Sequence, residues 1–224
     1  MPFGYNIKGG GNCWVIDPIP IKSEAMTALR PRSGHGTVVP PRYGLALNLR
    51  TDEMIETERL LLRQPSGSDF AAWATFLSDA EATRFIGGSR DTAEAWRNLC
   101  LFAGAWSVQG YSNFSVIEKA TGRWVGRAGA WSPPDWPGQE IGWAFSREVW
   151  GRGYATEAAT RCLKWAFEEL GWAEAVHVIH PENFASIAVA TKLGAVPRET
   201  GTAENYRLYV STKEAFALKF VTAV

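Results

Sequence analysis

A short apolar segment, a glycine turn and an amphipathic helix follow one another directly between residues 139 and 171. The segment 139–145 is rich in aromatic residues, which is typical of a buried strand. The helix is predicted from apolar residues that recur every three or four positions. These are Ala155, Ala158, Ala159, Cys162, Leu163, Ala166, Phe167 and Leu170. Glu157 in the first turn suits the helix dipole, and Gly171 stands where a C-terminal cap is expected.

The turn before this helix has the character of an anion site. Gly151 and Gly153 allow a ligand to approach the backbone closely. Several backbone N–H groups then point the same way, at the positive end of the helix dipole. This geometry suits a phosphate group. The alternative interpretation is an ordinary connection between a strand and a helix.

The residues around the turn resemble a known family. Its pattern is Arg/Gln-x-x-Gly-x-Gly/Ala, the core motif of the GNAT acetyltransferases, and the matching run here is 150–155, Trp-Gly-Arg-Gly-Tyr-Ala. Trp150 replaces the usual arginine or glutamine. This departure resembles the subgroup that acts on ribosomal-protein N-termini, which carries Trp-Gly-x-Gly-Tyr-Ala-Thr-Glu-Ala, and residues 150–158 match that longer string.

A second motif follows about thirty residues later. Residues 183–194 resemble the GNAT pattern Asn-x-x-Ser/Ala-x-x-x-x-x-Lys-Leu-Gly-Phe, with Ala195 in place of the final aromatic residue. Asn183 can cap a helix here. The spacing predicts that Ala185, Ala188, Val189 and Leu193 form its buried stripe.

The resemblance covers residues 54 to about 215 and implies a fold of mixed α+β and α/β character. A central, mixed, mostly antiparallel sheet of about seven strands is expected to splay between its fourth and fifth strands. About four helices should pack on both faces.

The remaining elements are predicted from local patterns. Residues 55–63 are expected to form one strand, and 111–118 and 123–131 two strands joined by a turn. Further helices are predicted from a cap at 68–69 to about Leu77, and from Asp91 with Ala95, Leu99, Phe102 and Trp106 at helical spacing. A strand over 175–180 follows the long helix, and the last strands should lie near 198–201 and 205–211.

The first 53 residues differ in composition from the rest. They hold seven of the 22 glycines and six of the 12 prolines, which is typical of a poorly ordered segment. Residues 1–53 are therefore interpreted as an appendage, a tag or upstream translation, and 54–224 as the GNAT acetyltransferase domain. A true N-terminal extension with its own role is the alternative.

The overall charge excludes some partners. Lys+Arg and Asp+Glu are both 23, so no strong field attracts nucleic acid or an acidic membrane. The three cysteines, Cys13, Cys100 and Cys162, lack metal-ligand spacing and favour free thiols in a reducing compartment. No stretch has the length and apolarity of a membrane span. The composition predicts a cytoplasmic protein without a metal.

The expected ligand of the turn is a coenzyme diphosphate, held by the N–H groups of Arg152 to Thr156. The resemblance identifies the coenzyme as acetyl-CoA and assigns its binding to Gly151, Arg152, Gly153, Tyr154, Ala155 and Thr156. It also implies that backbone groups near Phe145 pair with the pantetheine amides and polarise the thioester carbonyl. Arg152 is either a phosphate contact or a solvated turn residue.

The candidate catalytic residues are Glu140 and Ser186. An attacking ammonium must lose a proton, and Glu140 on the central strand is the best base in reach, directly or through water. His180 is a second candidate for that role. The resemblance places Ser186 near the leaving thiolate as proton donor, and Asn183 near the pantetheine arm. The alternatives are a paired or solvated glutamate, a structural histidine, a hydroxyl that bonds backbone, and a simple helix cap.

The function that these features predict is transfer of an acetyl group from acetyl-CoA to a primary amine in a ternary complex. A coenzyme-binding module without acceptor chemistry is the second class. A phosphate-loop nucleotide hydrolase is disfavoured because the turn lacks Gly-Lys-Ser/Thr. The acceptor, a small molecule or a peptide, stays open, and so does the homodimer that is common in the family.

Overall fold

The computed structural model of the chain describes residues 54–198 and 206–220. Within these ranges there are eight strands and six helices. The strands are β1 Met54–Glu56, β2 Leu60–Arg63, β3 Asn113–Glu118, β4 Trp124–Trp131, β5 Glu140–Phe145, β6 Glu174–Ile179, β7 Val196–Arg198 and β8 Arg207–Thr212. The helices are α1 Phe70–Ser78, α2 Ala80–Thr83, α3 Thr92–Gln109, α4 Tyr154–Glu168, α5 Phe184–Lys192 and α6 Lys213–Phe220. The predicted appendage at 1–53 lies outside the described residues, so that boundary stays a prediction.

All eight strands form one sheet in the order β1-β2-β3-β4-β5-β6-β8-β7. Every neighbouring pair is antiparallel except β5 and β6, which are parallel. The ladder between these two strands is very short, since only Glu140 and Val176 are paired in register. The predicted mixed, mostly antiparallel sheet with a splay at this position is therefore confirmed.

Helices cover both faces of the sheet. On one face α4 packs its buried side, which includes Ala158, Cys162 and Leu163, against apolar residues of the central strands. On the other face α1 and α3 enclose a second core that includes Trp73 and Leu99. Alternation along β5 sends Ile141, Trp143 and Phe145 towards α4, and Glu140, Gly142 and Ala144 towards α3.

The start and the buried face of α3 follow the sequence pattern closely. The Asp91 carboxylate caps α3, and the Glu94 carboxylate accepts the Asp91 N–H in return, which forms a capping box. Ala95, Leu99, Phe102 and Trp106 are the buried residues of α3, as their spacing predicts.

The prediction of a single strand over 55–63 is wrong, because the segment folds back into two strands. Met54 pairs with Arg63 and Glu56 with Leu61, so β1 and β2 make a tight antiparallel hairpin. The turn is held from a distance, since the Glu157 carboxylate of α4 accepts hydrogen bonds from Thr57 Oγ1 and Arg59 N. Because this contact stabilises the turn, the segment forms two strands instead of one, and the sheet has eight strands instead of about seven.

The predicted buried stripe of α5 is also incorrect in part. Ala185 and Ala188 are exposed, whereas Ala190 is fully buried and Leu193 lies in the core. The helix is rotated because Ile187 and Ala190 pack against Ile179. Helices α2 and α6 are not predicted from the sequence, since a four-residue turn and a helix that packs only partly leave weak periodic signals.

None of the helices in the described ranges combines the length and apolarity that crossing a membrane requires.

Candidate active site

The sheet opens beyond the single pair Glu140–Val176, and two side chains bond across the start of this β5–β6 opening. The next ladder bond would join Val178 N–H to Ile141 C=O. Instead, Val178 N donates to Glu140 Oε1 at 3.3 Å, and Ile141 O accepts from His177 Nδ1 at 2.7 Å. Each strand therefore supplies a side chain to the other, and the backbone stays apart.

Farther along β5, main-chain groups face the β5–β6 opening. Ser146 N donates to Val125 O, so Phe145 and, by alternation, Trp143 direct their N–H and C=O groups away from β4. The Phe145 carbonyl is already bonded, since Trp150 Nε1 donates to it at 2.8 Å. The predicted contribution of Phe145 is therefore restricted to its N–H group.

A pocket of about 520 Å³ lies at this opening and is here called the central pocket. Glu140 and Arg127 line it from the α3 side of the sheet, whereas Trp143 and His177 line it from the α4 side. Ser186 of α5 also lines it. The pocket thus connects the two faces, so that ligands from opposite sides can meet inside the sheet.

Glu140 is buried in the central pocket, with 9% of its surface exposed. Trp136 Nε1 donates to its Oε2 at 2.7 Å, and Val178 N donates to its Oε1. Burial raises the pKa of Glu140 to about 7, although both hydrogen bonds and the charge of Arg127 act in the opposite direction. A carboxylate with this pKa can accept a proton near neutral pH.

His180 also lines the central pocket, but its hydrogen bond makes it a weaker candidate for the base. Its Nδ1 accepts from Glu182 N at 3.2 Å. In the neutral ring Nδ1 is then the unprotonated nitrogen, and Nε2 carries the proton. The imidazole ring packs against the Phe85 ring, with 5.1 Å between the two ring centroids. His180 is therefore arranged as a hydrogen-bond donor.

Ser186 and Asn183 meet at the start of α5. Asn183 Oδ1 caps the helix by accepting from Ser186 N at 3.1 Å. Both side chains line the central pocket. The Ser186 hydroxyl has no hydrogen-bond partner among the described residues, so its O–H is available to a ligand. Asn183 therefore caps α5 through the backbone N–H of Ser186, and the Ser186 hydroxyl takes no part in the cap.

The glycine turn follows β5 and opens α4. Gly151 and Gly153 have φ values of 75° and 81°, a region that favours glycine. Gly153 is the N-cap of α4 and supplies no side-chain cap. Within the described ranges, the N–H groups of residues 153–156 have no protein acceptor. Apart from its chain neighbours, no described protein atom lies within 4 Å of a Cβ built on Gly151. An open row of amides at a helix N-terminus fits a diphosphate.

Arg59 borders this turn and was not predicted as a site residue. Its Nη1 donates to Arg152 O at 2.9 Å, and its Nε donates to Glu157 Oε2 at 2.7 Å. The guanidinium also lies over the Tyr154 ring, 4.6 Å from the centroid. It fixes the turn and places a cation beside the open amides. Its partners are more than ninety residues away, so local sequence gives no signal for it.

The side chains of Arg152 and Tyr154 point towards Glu118. Tyr154 is buried, and its hydroxyl donates to Glu118 Oε1. Arg152 Nη1 lies 3.4 Å from the same oxygen, and its side chain is 53% exposed. Tyr154 can therefore serve a coenzyme through its backbone N–H only, whereas Arg152 keeps enough exposure to reach a phosphate.

Two further residues of the central pocket, Arg127 and His177, are absent from the sequence-based prediction. Each is a polar residue in the middle of an otherwise apolar strand, and that signal could have identified both. Burial lowers the pKa of His177 to about 4, so its ring is neutral. Its Nε2 then accepts from Ser211 Oγ, at 3.0 Å, while Nδ1–H holds Ile141 O.

The buried thiol of Cys162 lies outside the site. Burial raises its pKa to about 12, which agrees with the role of a core residue. No cluster of three or more His, Cys, Asp or Glu side chains suited to a metal occurs in the described part of the chain.

A splayed sheet with a glycine turn and a buried carboxylate in the gap is the arrangement expected of a GNAT acetyltransferase, and sequence comparison agrees. The family model "Acetyltransferase (GNAT) domain" matches residues 59–196. The chain belongs to this family. It is 32% identical over 149 residues to the uncharacterized protein YkkB of Bacillus subtilis, covering 62% of this chain and 82% of that protein. The uncharacterized N-acetyltransferase p20 of Bacillus licheniformis is 30% identical over 145 residues, covering 63% and 81%.

Solved structures show the same fold. An acetyltransferase from Agrobacterium tumefaciens matches with a TM-score of 0.67 and 29% identity, over 72% of this chain and 95% of that one. A putative ribosomal-protein-serine acetyltransferase from Vibrio cholerae matches with a TM-score of 0.60 and 20% identity, over 71% and 97%. A spermidine N-acetyltransferase from Vibrio cholerae, in complex with CoA and spermine, gives 0.60 and 13%, over 71% and 99%. The last two identities support the fold alone.

Proposed function

We propose that this protein transfers an acetyl group from acetyl-CoA to a primary amine by direct attack in a ternary complex. The observation that carries the proposal is the position of Glu140, a buried carboxylate at the β5–β6 opening whose pKa is raised to about 7. A base with this pKa can deprotonate an ammonium that is held next to it. Holding both reactants in one pocket removes most of the entropic cost of their encounter.

The glycine turn is the proposed site of the coenzyme diphosphate. Gly151, Arg152, Gly153, Tyr154, Ala155 and Thr156 would contribute through their backbone, with Arg59 as a nearby cation. The strand β5 runs five residue steps from Glu140 to Phe145, or roughly 16 Å, and the glycine turn lies beyond Phe145. An extended arm can follow that strand, where the N–H groups of Trp143 and Phe145 face the opening. The Asn183 side chain lines the far wall.

Acetyl-CoA, when bound, supplies the acetyl thioester and a thiolate leaving group. Glu140 accepts one proton from the acceptor ammonium, which frees the nitrogen lone pair to attack the thioester carbon. The nitrogen loses its second proton to bulk water as the neutral amide forms. Ser186, which lines the pocket, donates a proton from its hydroxyl as the C–S bond breaks. Bulk water restores the protonation state of both residues. The N–H groups facing the β5–β6 opening stabilise negative charge on the carbonyl oxygen.

We also propose kinship with the subgroup that acetylates ribosomal-protein N-termini, supported by the Trp-Gly-x-Gly-Tyr-Ala-Thr-Glu-Ala string at 150–158. The acceptor is then a small molecule or a peptide rather than nucleic acid. The described cysteines, Cys100 and Cys162, are free, which supports action in a reducing, cytoplasmic compartment. A homodimer stays part of the proposal because it is common in this family.

The function is tested by calorimetry with acetyl-CoA together with a thiol-release screen of peptides, polyamines, amino acids and aminoglycosides. We expect binding of acetyl-CoA and release of CoA thiol with a restricted set of amines. Binding without thiol release from any amine would instead indicate a coenzyme-binding module. No heat with acetyl-CoA would contradict the proposed function altogether.

The pH dependence of the reaction is expected to report Glu140. Below pH 7 the carboxyl is protonated and cannot act as a base, so kcat/KM should rise about tenfold per pH unit. It should level off above about pH 7, because burial raises the pKa of Glu140 to that value. The measurement is kcat/KM from pH 5 to 9 with an amine of high pKa. If kcat/KM of Glu140→Gln falls in the same way below pH 7, the titrating group is a residue other than Glu140.

Ser186→Ala and Asn183→Ala are expected to separate chemistry from helix capping. Ser186→Ala removes the proton donor and should lower kcat roughly 100-fold, while the cap survives because it uses the Ser186 N–H. Asn183→Ala removes the cap and should cost about 1 kcal/mol of stability. The measurements are steady-state kinetics and thermal unfolding of both variants. An unchanged kcat for Ser186→Ala would exclude the hydroxyl from proton transfer.

A further inference from the structure

The guanidinium of Arg127 lies in the central pocket with incomplete pairing. Nη1 donates to Asn113 Oδ1 at 2.6 Å, whereas the buried Nε has no hydrogen-bond partner among the described residues. The group stacks on Phe102, 4.5 Å from the ring centroid. Buried polar groups are nearly always paired in native proteins. An unpaired nitrogen on a buried cation that lines a cavity is therefore a site that a ligand oxygen can complete.

The charges around the pocket favour an anionic partner. Arg90 also lines it, and its charge adds to burial in lowering the pKa of Arg127 to about 10. Among the described residues that line the pocket, Glu140 is the only acid. His177 is neutral and bonded at both ring nitrogens. Two cations thus face one carboxylate, which leaves the pocket short of one negative charge.

Between Arg127 and Glu140 the sheet carries glycines on this face, and the Glu140 carboxylate lies over one of them, with Oε1 3.4 Å from a Cβ built on Gly142. On the same face of the sheet, Gly129 of β4 pairs with Gly142 of β5, between the positions of Arg127 and Trp131. A Cβ on Gly129 would lie 2.7 Å from Ser112 O, so the position requires glycine. Gly142, Glu140 and Arg127 all line the central pocket, so an acceptor beside Gly142 can meet a charge at each end.

Resting on the proposed function, we infer that the acceptor is a primary amine that also carries a carboxylate, with the amine at Glu140 and the carboxylate at Arg127. A carboxylate can accept bonds from two guanidinium nitrogens, which would satisfy the unpaired Nε and place a negative charge beside Arg127. Phe102, Trp131 and Trp136 surround the intervening atoms. A polyamine would place a second cation beside Arg127, which the same charges oppose.

The test compares acceptors that differ only in the carboxylate. Phenylalanine, leucine and 4-aminobutyrate are each paired with their amide, and spermidine is added as a polycation. The wild-type protein is expected to favour the acid over the amide by at least about tenfold in kcat/KM, since a hydrogen-bonded charge pair contributes about that much. In Arg127→Met the ratio should fall to about one. Arg127→Lys keeps the positive charge but cannot bind a carboxylate through two guanidinium nitrogens, so it should give an intermediate ratio.

A binding measurement distinguishes failure of this inference from failure of the proposed function. The CoA-loaded protein is titrated with N-acetylphenylalanine and with its amide, and Arg127→Met is expected to lose the tighter binding of the acid. Arg97→Met, on the exposed face of α3, is the matched control and should keep the wild-type ratios. If no amine is acetylated while the acid still binds through Arg127, the proposed function fails and only the carboxylate site at Arg127 stands. Equal binding of acid and amide, or spermidine as the best acceptor, would overturn the inference.

Discussion

Gly153→Asp is expected to raise the Kd for acetyl-CoA at least 100-fold, about 2.8 kcal/mol. The substitution puts a carboxylate over the open amides at the start of α4, where the diphosphate is proposed to lie. Aspartate tolerates the left-handed conformation better than most residues, so the φ of 81° should cost only about 1 kcal/mol of stability. Isothermal calorimetry gives the affinity, and thermal unfolding gives the stability.

Gly171→Asp is the matched control. Gly171 lies beyond the other end of α4 with a φ of 72°, and a Cβ added to it would have no protein atom within 4 Å apart from its chain neighbours. A Cβ on Gly153 lies 3.5 Å from Arg59 Nη2, and the helix dipole favours an acid only at the N-terminal end of α4, so Gly171→Asp should lose more stability. Only Gly153→Asp is expected to lose coenzyme affinity. Equal affinities would place the diphosphate elsewhere.

Glu140→Gln is expected to lower kcat/KM by about 100- to 1,000-fold, within the range typical of lost general-base catalysis. The amide cannot accept the ammonium proton, although it fills the same space beside Trp136 and Val178. The affinity for acetyl-CoA should change less than about threefold, because the diphosphate site is proposed at the other end of β5. Glu148→Gln, a half-exposed residue paired with Arg123, is the control and should retain wild-type kinetics. Wild-type rates in Glu140→Gln would remove this carboxylate from the mechanism.

The same substitution should change how stability depends on pH. Burial raises the pKa of Glu140 from 4.5 to about 7, so between these values unfolding releases a proton and stability falls as pH rises. The loss amounts to roughly 3 kcal/mol at most above pH 7. Glu140→Gln lacks this titration, so its unfolding free energy should be flatter across the window. Urea unfolding at pH 4.5, 6 and 8 measures the difference, and parallel pH profiles would contradict the assignment.

Elements with strong local signals were predicted well. Helix α4 buries the residues that its 3.6-residue period indicates, including Ala158, Cys162 and Leu163. Helix α3 begins after Asp91 with a full capping box. The hairpin of β3 and β4 also agrees, since turn residues and apolar strands specify it within a few residues of chain. The position of the sheet opening agrees as well, and it was implied by the family resemblance.

The incorrect predictions have a common cause in long-range contacts. The hairpin of β1 and β2 depends on Glu157, about one hundred residues away, which bonds Thr57 and Arg59. The rotation of α5 depends on which side of it meets Ile179. In both cases the local pattern permits more than one arrangement, and packing selects between them.

By itself, the sequence determined the order of elements, the family and the glycine turn, because each is encoded in neighbouring residues. Only the tertiary structure decided how the site is completed. The raised pKa of Glu140 comes from burial among residues of other elements, and the incomplete pairing of Arg127 comes from the shape of the pocket. The physical reason is that desolvation and pairing depend on what the folded chain excludes and brings together, which residue spacing does not record.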